Sequence, residues 1–272
     1  MGILDTFNLA KKSKSQLKNL NQLNKLAAAV LAFQAIIILI LANGSTGSRS
    51  ISNSFLTADP QTTDASGQAV LAPAVHHLFD FNLAYLVAAF LLIAAIIRLL
   101  VAFSSKSFYE RELKKGYSRF RWLEYALSGG LMVVTIAVLV GVLDFSTLFL
   151  IFVANGVAAL VGLLAEEGAF STKYFGWVAK VGGPRPGFAP WVVIAIFLWG
   201  AHAYGAGLPA YSYWLAGSVF LLAVAWVKLN YFSYVKRGRW ADYLKVEQAY
   251  IILSLLTTAA LAWQVYAGAL RV

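Results

Sequence analysis

The sequence predicts an all-α integral membrane protein with seven transmembrane helices in a single domain, residues 1–272. Two observations support this prediction. The chain is 60% hydrophobic and only 12% charged, whereas soluble domains carry about 25% charged residues. Seven apolar runs also approach the roughly 20 residues that a helix needs to cross a bilayer. These runs are residues 23–42, 81–103, 121–143, 147–164, 188–204, 213–235 and 243–267.

The first predicted helix follows a basic N-terminal segment. We expect this helix to be retained, because no small-residue cleavage site of a signal peptide ends its apolar run. A polar connection, residues 43–80, leads to the second helix. Its length is unusual for a simple loop, and the segment ISNSFLT, residues 51–57, has the composition of a strand. We therefore expect a folded flap outside the membrane.

The later connections differ in length and composition. The third and fourth helices are separated only by Asp144, Phe145 and Ser146. The segment GGPRPG, residues 182–187, breaks the chain between the fourth and fifth helices.

The basic residues are distributed asymmetrically. Of the 22 lysines and arginines, eighteen lie in the N-terminal segment and after the second, fourth and sixth helices. The opposite side carries only Arg49 and Arg271, while Arg98 and Lys228 interrupt helices. The positive-inside rule therefore predicts a plasma-membrane protein with a cytoplasmic N-terminus and an extracellular C-terminus. Because this rule explains the net charge of +10, we predict no nucleic-acid partner.

Three sequence blocks resemble heliorhodopsins, which are retinal-binding seven-helix proteins of inverted orientation. The first is RFRWLEYALSGGLM, and the second runs from Gly238 to Gly268 with GRWADYL, AYIILSL and LAWQVYAG. The third and weaker block is LAFQAIIILILAN together with Asn155. The resemblance implies a rhodopsin-like bundle, and its orientation agrees with the one that the charges predict.

The resemblance also implies where a cofactor would lie. Thr258 occupies the position of the lysine that forms the retinal Schiff base in the family. Threonine has no amine, so we expect no covalent retinal, and retinal or another apolar ligand would bind noncovalently. Glu124 takes the counterion position, with Arg121 and Tyr125 beside it. The other implied pocket residues are Gln34, Asn155, Ser254, Trp263 and Gln264.

The sequence departs from the family beside this site, because two family histidines correspond here to Leu31 and Arg98. An acid inside a membrane helix needs a partner. We predict that Arg98 pairs with Glu124, since a guanidinium suits a partly buried carboxylate. The alternative is that Arg98 extends to the headgroups. Lys228 either joins this polar layer, extends to the headgroups, or serves as a displaced Schiff-base amine.

For the remaining site residues, purely structural roles are open alternatives to ligand binding. The hydroxyls of Ser254 and Thr258 are able to bond the carbonyl one turn earlier, as hydroxyls in membrane helices often do. Trp263 is equally a residue of the interfacial aromatic belt. The scattered histidines and the absence of cysteine predict no metal site.

Three functions follow from these observations, and none of them is enzymatic. The first is a receptor-like or regulatory membrane protein with a noncovalent apolar ligand. The second is a proton or anion transporter or channel that uses Arg98, Glu124 and Lys228. The third is a dimeric structural modulator of a partner membrane protein or enzyme. A closed apolar cavity would favour the first function, and a polar path to both faces would favour the second. A filled core would favour the third.

Overall fold

A computed structural model describes residues 3–42, 47–63, 67–168, 186–236 and 238–271. Its regular elements are, in chain order, α1 (Ile3–Leu41), β1 (Ser48–Thr63), β2 (Ala69–Asn82), α2 (Leu83–Ala102), α3 (Lys106–Lys115), α4 (Arg119–Leu139), α5 (Phe145–Glu166), α6 (Ala189–Tyr204), α7 (Ala210–Val235) and α8 (Tyr243–Leu270). Short 3₁₀ turns precede α6 and α8.

Six of these helices are long and apolar enough to cross a membrane: α1, α2, α4, α5, α7 and α8. The fifth predicted span corresponds to α6, an apolar helix of only 16 residues. The chain is therefore a multi-pass membrane protein. Its seventh span and its orientation remain predictions.

Polar residues fix where four of the helices begin. The side chains of Asn82, Ser118, Asp144 and Asp242 accept hydrogen bonds from backbone N–H groups in the first turns of α2, α4, α5 and α8. Such caps satisfy donors that have no partner within the helix. They explain why these helices start within about two residues of the predicted positions.

Two helical segments were missed because their stabilising contacts are tertiary. α1 starts at Ile3, not at residue 23, and Leu17 and Leu20 in its polar half are buried against α3. α3 itself was not predicted, and it contributes Tyr109 and Leu113 to the same cluster. We call the end of the bundle that carries α3 and the 3₁₀ turn Gly238–Ala241 the basic end.

The connection between α1 and α2 is a β-hairpin, so the all-α class was wrong in this detail. The strand predicted at residues 51–57 lies within β1, which pairs antiparallel with β2. The hairpin contacts the turn between α4 and α5, where the Ser52 N–H donates to the Leu143 carbonyl at 3.0 Å. Ile51 is buried beneath it. We call this end of the bundle the hairpin end.

The core divides into two parts. Towards the hairpin end the buried residues are almost all aliphatic or aromatic, as Leu83, Phe90, Ile136, Leu215 and Leu261 illustrate. Towards the basic end, buried arginine and glutamate side chains lie between the helices. The candidate site lies where these two parts meet.

Candidate functional site

A cavity of about 130 Å³ lies among α4, α5, α6, α7 and α8. Aliphatic and aromatic side chains form most of its wall, while Glu124, Ser254, Thr257 and Thr258 form a polar strip on α4 and α8. Tyr125 and Asn155 also line it. Five of the residues predicted from the sequence therefore share one cavity: Glu124, Tyr125, Asn155, Ser254 and Thr258.

A change in helix geometry shapes this cavity. Residues Tyr125–Gly129 of α4 form a π-helical turn directly after Glu124. A π turn breaks the regular backbone ladder and is frequent at functional sites. The Asn155 side chain donates to the Tyr125 carbonyl at 2.8 Å, and Ser128 donates to the Phe90 carbonyl at 2.9 Å. These contacts anchor the turn to α5 and α2.

Close packing supports the same turn. A Cβ atom at position 130 would lie 2.8 Å from the ring of Phe152. Only glycine therefore lets α4 and α5 approach at this point without a shift of the ring. Small residues commonly permit such close approach between membrane helices.

Arg98 and Glu124 form the ion pair that the sequence predicts. Arg98 Nη2 lies 2.8 Å from Glu124 Oε1, and both residues are buried, with 4% and 8% of their surfaces exposed. Arg98 Nη1 donates to Asn24 Oδ1 at 3.1 Å. The pair therefore links α2 to α4, and Asn24 adds α1. Arg98 does not extend towards the surface.

Of the two predicted hydroxyls on α8, one bonds the helix backbone and the other bonds the site carboxylate. Thr258 donates to the Ser254 carbonyl at 2.7 Å, which is the backbone bond expected of a membrane-helix threonine. Ser254 instead donates to Glu124 Oε1. Glu124 thus receives one bond from a cation on α2 and one from a hydroxyl on α8.

Arg121 is the centre of a second buried network nearer the basic end. It bonds Glu247 at 2.5 Å through Nη1 and Glu166 through Nη2. Its guanidinium also stacks 4.1 Å from the centre of the Tyr250 ring. Glu166 accepts further bonds from Trp122 at 2.7 Å and Tyr243 at 3.1 Å. One arginine therefore ties α4 to both α5 and α8.

The outer groups of this network lie on α3. Tyr109 donates to Glu247 Oε1 at 2.8 Å. Burial, and secondly the Glu247 carboxylate, raise the pKa of Tyr109 well above its ordinary value, so the phenol stays protonated and remains a donor. Burial also raises the pKa of Glu112, which accepts a hydrogen bond from the Arg119 N–H at 3.1 Å.

A smaller cavity of about 20 Å³ joins the two networks. Its wall includes Arg98, Glu124, Arg121 and Glu247, together with Ser254. The Nε atoms of both arginines are buried and have no hydrogen-bond partner among the described residues. The space has the size and polar lining that one internal water requires. Glu124 and Ser254 therefore contact both cavities.

Several predicted site residues lie elsewhere. Lys228 is exposed on α7, so the predicted layer of Arg98, Glu124 and Lys228 is wrong in its third member.

Gln34 is half-buried on α1 and does not line the cavity. Gln264 accepts from Ser218 at 2.9 Å, outside the cavity lining. Trp263 is 37% exposed and packs on Tyr266, as a belt residue does. Arg121 lines the smaller cavity and not the larger one.

Sequence reasoning missed two acids in the Arg121 network. Glu166 ends an apolar run, where a solvated charge is ordinary, yet its side chain is only 12% exposed and is bonded to Arg121. Glu247 received no role, although it is 3% exposed within α8. The available signal was its position, because an acid four residues into an apolar helix needs a cation.

Comparison with known proteins supports this architecture. Residues 20–270 match the family model for heliorhodopsin. The fold is similar to the light-driven proton pump rhodopsin of Coccomyxa subellipsoidea, with 15% identity, a TM-score of 0.60, and coverage of 92% of this chain and 96% of that one. Cyanorhodopsin from the cyanobacterium Tolypothrix gives 9% identity, a TM-score of 0.59, and coverage of 91% and 93%.

A third structure, thermophilic rhodopsin, gives 12% identity, a TM-score of 0.58, and coverage of 94% of this chain and 93% of that one. No curated protein matches the chain. At these identities the solved structures establish the rhodopsin-like fold alone. The family model spans nearly the whole chain, including the cavity on α4 and α8, and the chain therefore belongs to the heliorhodopsin family.

Proposed function

We propose that this protein is a receptor-like or regulatory membrane protein that binds a small apolar ligand noncovalently in the 130 Å³ cavity. The observation that carries the proposal is the state of Glu124. Arg98 already neutralises the charge of this carboxylate. Thr258, which occupies the Schiff-base position of the family, carries a hydroxyl in place of an amine. Among the described residues that line this cavity, none offers an amine to a covalent cofactor, and Glu124 is already paired.

The volume of the cavity limits the size of the ligand. An engineered cavity of about 150 Å³ in another protein accepts benzene, so a ring-sized apolar body fits here. Noncovalent retinal remains a prediction from the family resemblance, and a whole retinoid would require movement of aromatic side chains such as Trp226. Absence of covalent retinal likewise remains a prediction.

The output that we propose is a change in contacts at the basic end. Glu124 and Ser254 line both cavities, so an occupant of the larger cavity would touch Glu124, which bonds Arg98, and Ser254, which bonds Glu124. From the smaller cavity the Arg121 network extends to Tyr109 on α3. A ligand that shifts Glu124 would therefore alter the anchoring of α3, where a cytoplasmic partner has access.

The transport alternative has less support. The shared residues of the two cavities favour it, because they form a polar route towards the basic end. Towards the hairpin end, the described core is dominated by residues such as Ile136 and Leu261. Transport would require a polar path through this apolar half.

A homodimer with a modulatory role is also a proposal. The hairpin leaves large apolar side chains exposed, including Leu56, Leu71 and Val75. Exposed apolar patches of this kind are typical of interaction sites. This role is compatible with ligand binding, since the hairpin is remote from the basic end.

Ligand binding is tested in lipid nanodiscs with a cavity-filling variant, Ala223→Phe, and a control, Ala225→Phe, which lies outside the cavity lining. Thermal unfolding is measured while small apolar ring compounds are added. We expect the wild type and Ala225→Phe to be stabilised, and Ala223→Phe to be unaffected. Equal shifts in all three proteins, or no shift in any, would contradict the proposal. Hydrogen exchange of α3 with and without ligand tests the proposed output.

A further inference from the structure

The polar strip of the larger cavity offers hydrogen-bond acceptors and no free hydroxyl hydrogens. Each of its three hydroxyls has one hydrogen, and each hydrogen is already used. Ser254 donates to Glu124 Oε1, Thr258 donates to the Ser254 carbonyl at 2.7 Å, and Thr257 donates to the Leu253 carbonyl at 2.7 Å. These oxygens therefore remain available only as acceptors.

Glu124 adds a further acceptor to this strip. Arg98 and Ser254 both bond its Oε1 atom, and no described residue donates to Oε2. A carboxylate oxygen is a strong hydrogen-bond acceptor. A ligand that brings a hydrogen to this wall would satisfy it.

The charge balance then selects the kind of donor. Because Arg98 already neutralises Glu124, an ammonium group would add an uncompensated charge to a buried site. A neutral hydroxyl adds none. A carbonyl group carries no hydrogen and would face only acceptors on this strip.

From this arrangement we infer that the cavity selects apolar alcohols over the corresponding aldehydes and ketones, with the ligand hydroxyl donating to Glu124 or to the α8 hydroxyls. The inference rests on the proposed function and specifies the ligand class for the same cavity. The cavity volume limits the buried part of the ligand to about the size of one ring.

Two other hydrogen-bond donors in the cavity wall would favour a ketone, so the predicted preference for the alcohol is not guaranteed by the lining. The Tyr125 hydroxyl and the Asn230 amide also line the cavity, and either group is able to hold a carbonyl. If such a donor dominates, the ketone will bind as well as the alcohol. Tyr125→Phe removes one of them, so we expect the alcohol preference to persist or increase in this variant.

The test uses 1-cyclohexylethanol and cyclohexyl methyl ketone, which share a carbon skeleton and differ in the polar group. Binding to the full chain in nanodiscs is measured by saturation-transfer NMR and by the fluorescence of cavity tryptophans such as Trp191. Ala223→Phe corrects for partition into lipid, with Ala225→Phe as its control. We expect the alcohol to bind at least about tenfold more tightly than the ketone, as one charge-assisted hydrogen bond warrants.

The other outcomes separate the two proposals. Equal affinities, or a preference for the ketone, that Ala223→Phe abolishes would overturn the alcohol selectivity and leave the ligand-binding function in place. Binding of neither compound beyond the level of Ala223→Phe would overturn both. Because the ligand comparison uses the unaltered chain, it does not depend on the folding of a Glu124 variant.

Discussion

Arg98 Nη2 on α2 lies 2.8 Å from Glu124 Oε1 on α4, and this contact joins two membrane helices through a buried ion pair. The family resemblance implies that, in members with covalent retinal, the carboxylate at this position is the counterion of a protonated Schiff base. Here an arginine supplies the positive charge. The carboxylate therefore has a cationic partner within the protein itself, and this pairing makes several results predictable.

The first prediction concerns the coupling of the pair. Arg98→Leu and Glu124→Gln are each expected to lower the stability of the detergent-solubilised protein by about 3–5 kcal/mol, because each leaves a buried partner uncompensated. The double variant should recover part of this loss. Thermal unfolding of the four proteins measures the coupling, and strictly additive losses would show that the two residues act independently.

The second prediction concerns Arg121. Arg121→Met removes the shared partner of Glu166 and Glu247, so we expect a loss of at least about 3–5 kcal/mol. The control is Arg119→Gln, whose side chain is 51% exposed and whose loss of stability should be much smaller, because an exposed ion pair contributes little. Similar losses in both variants would refute a special role for Arg121.

The third prediction follows from the raised pKa of Glu112 above its ordinary value of 4.5. The folded chain holds this proton more tightly than the unfolded chain, so the resulting stability is complete below pH 4.5 and is lost as pH rises through the folded pKa. Glu112→Gln removes that loss. The stability difference should therefore shift in favour of the variant as pH rises from about 4 to about 7.

Thermal unfolding across this pH range measures the difference. Glu110→Gln serves as the control, because the Glu110 carboxylate lies 3.9 Å from Lys106 and is partly exposed. A stability difference for Glu112→Gln that stays constant with pH would contradict the prediction.

The fourth prediction is the orientation in the membrane. Ser50 on β1 and Ser15 on α1 are both exposed, so accessibility to reagent depends on which side of the membrane each faces. A cysteine at position 50 should react with an impermeant thiol reagent in whole cells, and one at position 15 should not. The reversed pattern would overturn the positive-inside assignment.

The sequence predicted those parts of the fold that depend on composition and local signals. The apolar runs located the membrane helices, and the strand at residues 51–57 lies in the hairpin. The sequence missed α3 and the first half of α1, because leucines such as Leu17 are scattered among polar residues and become interpretable only when Tyr109 packs against them. Hydrophobicity of a segment does not reveal its partner.

The candidate site was predictable where charge compensation required it. Glu124 needed a cation, and Arg98 was the one at comparable depth. Lys228 was misassigned because its position along α7 does not reveal which face of that helix it occupies. Glu166 and Glu247 were missed since their burial depends on Arg121 reaching between α5 and α8, and no local pattern records that convergence.

The most direct test of a noncovalent site is the absorption spectrum of the purified protein after addition of all-trans retinal. We predict no red-shifted band of a protonated Schiff base, because Thr258 has no amine and Glu124 is already paired with Arg98. Lys228→Ala should give the same spectrum as the wild type. A visible band that resists hydroxylamine in the dark and disappears in Lys228→Ala would contradict the account.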